Sequence, residues 1–147
     1  TAVAPAGMRG APRSYAELAT TAPVANLVLR FTSPTTFRQA GDHFLHPTPR
    51  LVFGSHLRRW RAFAPVALDA LSLARLEHIR LVEVDLQHID VDLTVARHPA
   101  ITGWARYRVD GADDAFARQV ATLAAYAAYC GTGARTSFGM GQTEWLA

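Results

Sequence analysis

The stretch Gly131-Thr-Gly-Ala-Arg-Thr-Ser-Phe-Gly-Met-Gly-Gln142 is the part of the chain whose residue types and spacing most directly suggest chemistry. Gly131, Gly133, Gly139 and Gly141 fall within it. Each can take backbone angles closed to other residues and lets a second backbone approach closely. Successive N–H groups held that way can form an anion-binding nest, and Arg135 adds a charge-assisted contact suited to phosphate. A dinucleotide fingerprint is excluded by order, because that motif follows a strand and opens a helix, whereas here a helix ends and a strand begins. A Walker loop is excluded because its Gly-Lys-Ser/Thr ending is absent. The purely structural alternative is a helix stop followed by a glycine-weakened strand.

Trp104, Arg106 and Arg108 stand at alternate positions and so share one strand face. Such a stripe can stack on bases and hold phosphates, or dock a second domain with its arginine stems over apolar surface. His43 and His46 lie three residues apart in a polar segment, as an acid–base couple, metal ligands or merely solvated side chains. His56, beside Leu57 on a predicted helix, reads as a packed or surface residue, and His78, His88 and His98, at element ends, read as structural. Neither H-E-x-x-H nor a Cys/His spacing supports a metal. Arg58, Arg59 and Arg61 cluster on one predicted helix, where a solvated face is the default and RNA contact the minority reading.

Composition narrows the classes. The chain has 147 residues, a net charge of +3 and a pI near 9.6, and all 15 of its Lys/Arg residues are arginine. Guanidinium groups grip phosphate in pairs and stack on bases, so nucleic acid is a permitted partner, although a GC-rich genome also explains the arginine bias. One cysteine, Cys130, excludes an internal disulfide and a cysteine-rich zinc site. No apolar run approaches the ~20 residues that span a bilayer, and no signal peptide is visible.

The elements that must hold these residues follow from patterning. Residues 1–13, rich in Ala, Pro and Gly, read as a linker. Ser14 with Glu17 forms a capping box before a short helix over Tyr15–Thr20. Asn26–Phe31 reads as a strand and 32–47 as a loop. Thr48-Pro49 starts a helix through Phe53, Leu57, Trp60 and Ala64, which Pro65 ends. A second apolar helical pattern covers 66–78. Arg80–Arg97 alternates but changes parity, which predicts a bulge near Gln87-His88. His98-Pro99 reads as a turn, Ile101–Val109 as a strand, and Asp113 as the cap of a helix through Phe116, Val120, Leu123, Ala127 and Cys130. The last strand is Thr136–Leu146. The order predicts an α+β, ferredoxin-like β-α-β-β-α-β sandwich: a four-stranded antiparallel sheet with helices on one face.

The glycine stretch closely resembles the G-x-G-x-[RK]-T-[ST]-x-G-[MFL]-G loop of the CRISPR-associated protein 6 family, RNases that cut CRISPR precursor transcripts. Leu29-Arg-Phe-Thr-Ser-Pro-Thr35 is similar to that family's strand and F-[TS]-[TS]-P turn, and Ser55-His-Leu-Arg-Arg-Trp60 more loosely to its S-x-L-x-R-[WL] helix. Tyr15-Ala-Glu-Leu18 is similar to the first helix of the same domain. The resemblance implies that 14–147 is the second of two ferredoxin-like domains and that 1–13 is the tail of an interdomain linker. It implies metal-independent cleavage by the ribose 2′-OH, leaving a 2′,3′-cyclic phosphate and a 5′-OH. The acid–base group is expected in the first domain, so no residue here inherits a catalytic role and no cofactor or metal is expected. The RNA-binding set expected is Gly131, Gly133, Arg135, Thr136, Gly139, Gly141 and Gln142 of the resembling loop, joined by Arg106 and Arg108 from the alternating strand stripe. Expected partners are CRISPR repeat RNA, the first domain and other CRISPR-associated subunits, with no membrane and a cytoplasmic location. The competing expectations are a non-catalytic RNA-binding scaffold subunit and, more weakly, an effector-binding domain of the same fold.

Overall fold

A computed structural model describes residues 13–93, 96–109 and 113–146. The linker reading of 1–12, Val95 and the Gly111-Ala112 approach to the last helix lie outside the described residues. The order is α1 (Tyr15–Leu18), β1 (Asn26–Thr35), β2 (Phe37–Gln39), β3 (Asp42–Phe44), α2 (Pro49–Phe63), β4 (Ile79–Leu93), β5 (Ala96–Val109), α3 (Asp114–Cys130) and β6 (Thr143–Leu146). The main sheet runs β4-β5-β1-β6, antiparallel throughout, which is the predicted ferredoxin-like arrangement.

The helices start where side chains satisfy their first amides. Ser14 Oγ accepts from Glu17 N–H at 3.1 Å, Thr48 Oγ1 from Leu51 N–H at 3.3 Å, and Asp113 Oδ1 from Phe116 N–H at 2.7 Å. Leu27, Leu29 and Phe31 alternate along β1 onto the covered face, joined by Ala105 and Tyr107 of β5. Phe53, Leu57 and Trp60 of α2 and Phe116, Val120 and Leu123 of α3 close the core from above. Trp60 meets Tyr15 and Tyr126 edge-on at 5.2 and 5.1 Å, which pins α1 across both helices.

Several expected boundaries move. The predicted loop 32–47 contains the end of β1 and a small hairpin, β2–β3, whose turn residues Ala40 and Gly41 both have positive φ, at 52° and 86°. β4 and β5 form one long hairpin, so His98-Pro99 is not a turn: the two residues pair with Val91 and Asp90 inside it. Pro99 is tolerated because it lies beyond Ile101, the last β5 residue paired to β1, where the strand is paired on one side alone. The bulge falls between Leu81 and Glu83, not at Gln87-His88. Segment 66–78 is mostly irregular, with a 3₁₀ turn at Arg75–His78. Side chains take over its backbone groups: Gln119 Oε1 accepts from Ala70 N–H at 2.8 Å, and Trp60, Arg61 and Arg75 donate to the Val66, Leu71 and Ala70 carbonyls. The last strand is shorter than expected, because residues Thr136–Phe138 form a 3₁₀ turn and pairing starts at Thr143.

Candidate nucleic-acid interface

The glycine-rich loop is sewn to the end of β1 and to the top of α2. Gly131, at φ 75°, ends α3 by donating to the Ala127 carbonyl. Thr132 N–H bonds Gly141 O at 2.8 Å and closes the base of the loop. Ala134 and Gly141 N–H bond the Thr36 and Pro34 carbonyls at 2.8 and 2.9 Å, and Gln142 N–H bonds Ser33 Oγ at 2.9 Å. From α2, Ser55 Oγ accepts from Gly133 N–H at 3.2 Å and the Arg59 guanidinium donates to Gly133 O. The S-H-L-R-R-W segment is therefore the mount of the loop, the physical content of a spacing that sequence alone leaves as a pattern.

His56 completes the mount. It is buried, and Thr132 Oγ1 lies 2.7 Å from its Nε2. Thr132 Oγ1 and Thr143 Oγ1 are 2.7 Å apart, and Thr143 Oγ1 donates to Gly141 O at 2.8 Å. One direction satisfies the whole run: His56 Nε2–H to Thr132, Thr132 O–H to Thr143, Thr143 O–H to Gly141. It leaves Nδ1 bare, in accord with that atom having no partner. Burial, reinforced by the neighbouring Arg59 charge, pushes the His56 pKa down to about 3, so the imidazole is neutral throughout the physiological range.

Steric reasons fix two of the glycines. A Cβ on Gly133 would stand 2.2 Å from Thr36 O, and one on Gly141 2.1 Å from Thr132 O, both at positive φ. The N–H groups of Gly131, Gly133, Gly139, Gly141 and Gln142 all bond protein atoms. This corrects the expectation of an amide nest built on the glycines: their amides hold the loop's own shape. What the loop presents outward is its tip, with Ser137, Phe138 and Gly139 exposed and Arg135 and Thr136 half-buried. Arg135 sits in the left-handed region at φ 59°, rare for a residue with a Cβ.

Beside the tip runs a groove of about 560 Å³ between the β2–β3 hairpin, α2 and the loop. Arg38, Arg50, Arg58 and Arg61 line it with the exposed Phe44, and no carboxylate does. Arg50, Arg58 and Arg61 recur at positions that share one helix face, a signal that was readable in sequence. Arg59 faces the other way, into the mount.

Arg106 and Arg108 form a separate patch. Alternation places them as expected on the face opposite the helices, with Ile101, Ala105, Tyr107 and Val109 buried beneath. Arg106 pairs with Glu83 at 3.4 Å and lies over Trp104 at 5.7 Å, and Arg30 pairs with Glu144 at 3.8 Å on the same face. Arg108 registers with Asn26 at the start of β1, whereas Gly141 binds Pro34 near its end. Eight residues of strand separate those points, about 26 Å. The sequence-predicted set therefore divides into two surfaces.

Among the described residues no group of three or more His, Cys, Asp or Glu side chains is placed to hold a metal ion. No helix among them is long and apolar enough to cross a membrane. Cys130 is packed beside Arg59, and burial pushes its thiol up to about 12 despite that charge.

Residues 29–143 match the family described as CRISPR-associated endoribonuclease Cas6. A Mycobacterium tuberculosis relative of that description is 32% identical over 115 residues, covering 77% of this chain and 36% of the relative. One from Streptococcus thermophilus is 30% identical over 118 residues, covering 76% and 46%. Among solved structures, a Cas6 product complex is similar at a TM-score of 0.86 and 32% identity, covering 94% of this chain and 58% of that one. Thermus thermophilus Cas6 is similar at 0.83 and 27%, covering 92% and 59%. The chain thus spans between about a third and three-fifths of the length of these proteins.

Proposed function

The chain belongs to the CRISPR-associated endoribonuclease Cas6 family, and on that premise we propose that it is the RNA-holding, C-terminal ferredoxin-like domain of a CRISPR repeat-RNA endoribonuclease. The observation that supports this reading is a groove lined by Arg38, Arg50, Arg58 and Arg61 and by no carboxylate, whose wall includes Gly133 and Ala134 of the glycine-rich loop, the residues just before Arg135. Guanidinium groups sharing the groove with the exposed Phe44, and an exposed Phe138 at the loop tip, suit a single-stranded ribose-phosphate chain, gripping phosphate and stacking on bases. The glycines act indirectly, by letting the backbone fold tightly enough to put Arg135 and Thr136 at the edge.

In the whole protein the 2′-OH attacks the adjacent phosphorus, a base takes its proton and an acid protonates the leaving 5′ oxygen. The products are a 2′,3′-cyclic phosphate and a 5′-OH. Cations from this domain offset the charge that grows on the phosphoryl oxygens. The acid and base come from a first domain, joined through residues 1–13. That domain docks on the open sheet face, where Arg106 is already committed to Glu83 and Trp104 offers apolar area. Arg106 and Arg108 therefore move from RNA contacts to an interdomain surface.

The test is cleavage of repeat RNA by the full-length protein, with EDTA and with a 2′-deoxy scissile nucleotide. Cleavage should persist in EDTA and stop with the 2′-deoxy substrate. Tight binding without cleavage of the all-ribose substrate would favour a scaffold subunit instead. Cleavage that survives 2′-deoxy substitution, or that needs a metal, would contradict the mechanism.

A further inference from the structure

His43 and His98 form a second feature beside the loop that the reading above does not use. His43 is on β3 and His98 on β5, far apart in sequence, yet their rings lie 5.4 Å apart. Arg38 is the cross-strand neighbour of His43. Arg135 reaches the same place from the loop tip, since it and Arg38 both act electrostatically on His98. The β2–β3 hairpin, β5 and the loop thus bring two imidazoles and two guanidiniums together.

His43 Nδ1, His98 Nδ1 and Arg135 Nε are buried and have no hydrogen-bond partner. Buried polar atoms are nearly always paired, so three nitrogens without a partner from this chain can take one from outside it. The charges acting on His98 are Arg135, His43 and Arg38, all of one sign. From β4, Val91 stands opposite His98, while Asp90 and Asp92 occupy the alternate face, Asp92 bound to Arg97 at 3.0 Å. On β3, Asp42 alternates away from His43 and registers with Gln39. An anion would supply both the partner and the charge, and Arg38 is exposed and the other three side chains half-exposed, so a polyanion has access.

We infer that His43, His98, Arg38 and Arg135 form a subsite for one RNA backbone phosphate, engaged with the histidines protonated. This rests on the RNA-holding reading and adds to it a proton-coupled contact. Burial, then Arg135, His43 and Arg38, lowers the pKa of His98 in the free protein. A bound phosphodiester raises it again, so binding takes up protons and affinity rises as pH falls through the histidine range.

The experiment is repeat-RNA binding by the full-length protein at pH 7.5 and pH 6.0, wild type against the His43→Gln/His98→Gln pair, with melting curves confirming that both fold. Wild-type affinity should rise about fivefold on going to pH 6.0, and the double variant should lose most of that rise. Ring NMR titration should show the pKa of His98 rising on RNA addition. Equal pH dependence in both proteins, with RNA binding intact, would overturn the subsite and leave the RNA-holding reading standing. No RNA binding by the wild type would overturn both. A loss of cleavage near a thousandfold at saturating RNA, with binding unmoved, would make the pair an acid–base couple and refute a binding role.

Discussion

Gly133→Ala should lower the melting temperature by about 6–12 °C and cost RNA binding with it. The left-handed φ of 79° costs about 1–2 kcal/mol for any residue with a Cβ. The added methyl would also sit 2.2 Å from Thr36 O, backbone that is itself bonded to Ala134 N–H and cannot swing aside. Relieving such an overlap costs about 1–3 kcal/mol. The sum, about 3 kcal/mol, converts at roughly 2–4 °C per kcal/mol for a domain of this size. Separating Gly133 from Thr36 also detaches the bonds from Ser55 and Arg59, so the tip loses its mount and affinity should fall about tenfold or more. Gly139→Ala is the control: φ is 82°, but nothing lies within 4 Å of the new Cβ, so only the backbone cost of about 1–2 kcal/mol remains. Equal melting temperatures for the two variants would show that close approach is not what selects glycine at 133.

Acid should loosen the same loop through His56. Its folded pKa of about 3 lies below the unfolded value of 6.5. Above pH 6.5 both states are neutral and no penalty exists. Below it the unfolded chain binds a proton that the native one refuses, so stability falls by about 1.4 kcal/mol per pH unit until pH nears 3. At pH 5.0 the loss is about 2 kcal/mol. Asp113, whose carboxyl is held low by the Phe116 amide and by Arg75, is lost only at more acid pH and does not enter this window. Denaturant melts at pH 7.0 and pH 5.0 measure the effect. His56→Gln, which keeps a donor toward Thr132, should be less stable at pH 7.0 but nearly flat between the two. A wild-type profile as flat as the variant's would remove His56 from the account.

The glycine positions were legible because only a few backbone conformations make that spacing useful, but their role was not. Whether an N–H faces a ligand or a carbonyl of β1 depends on Pro34 and Thr36, about a hundred residues away. The helices were legible from Thr48-Pro49, Asp113 and the apolar spacing, since capping and burial are local or periodic. The β2–β3 hairpin was hidden because Ala40 is not a turn-forming residue, and its left-handed φ is imposed by the surrounding chain. Pro99 suggested a break because sequence does not show which strand edge lacks a neighbour. Arg106 and Arg108 were legible as sharing the face opposite the helices, but their separation from the glycine-rich loop was not, because alternation gives the face and not the distance along it. His43 and His98 were separately visible as residues and only the fold makes them a pair.

The most direct measurement of whether the loop tip holds RNA is the salt dependence of repeat-RNA binding by the wild-type protein and Arg135→Ala. If Arg135 meets a phosphate, the variant should bind more weakly, and its slope of log affinity against log salt should be shallower by about one. A variant with the wild-type affinity and the wild-type slope would contradict the placement of the glycine-rich loop against the RNA.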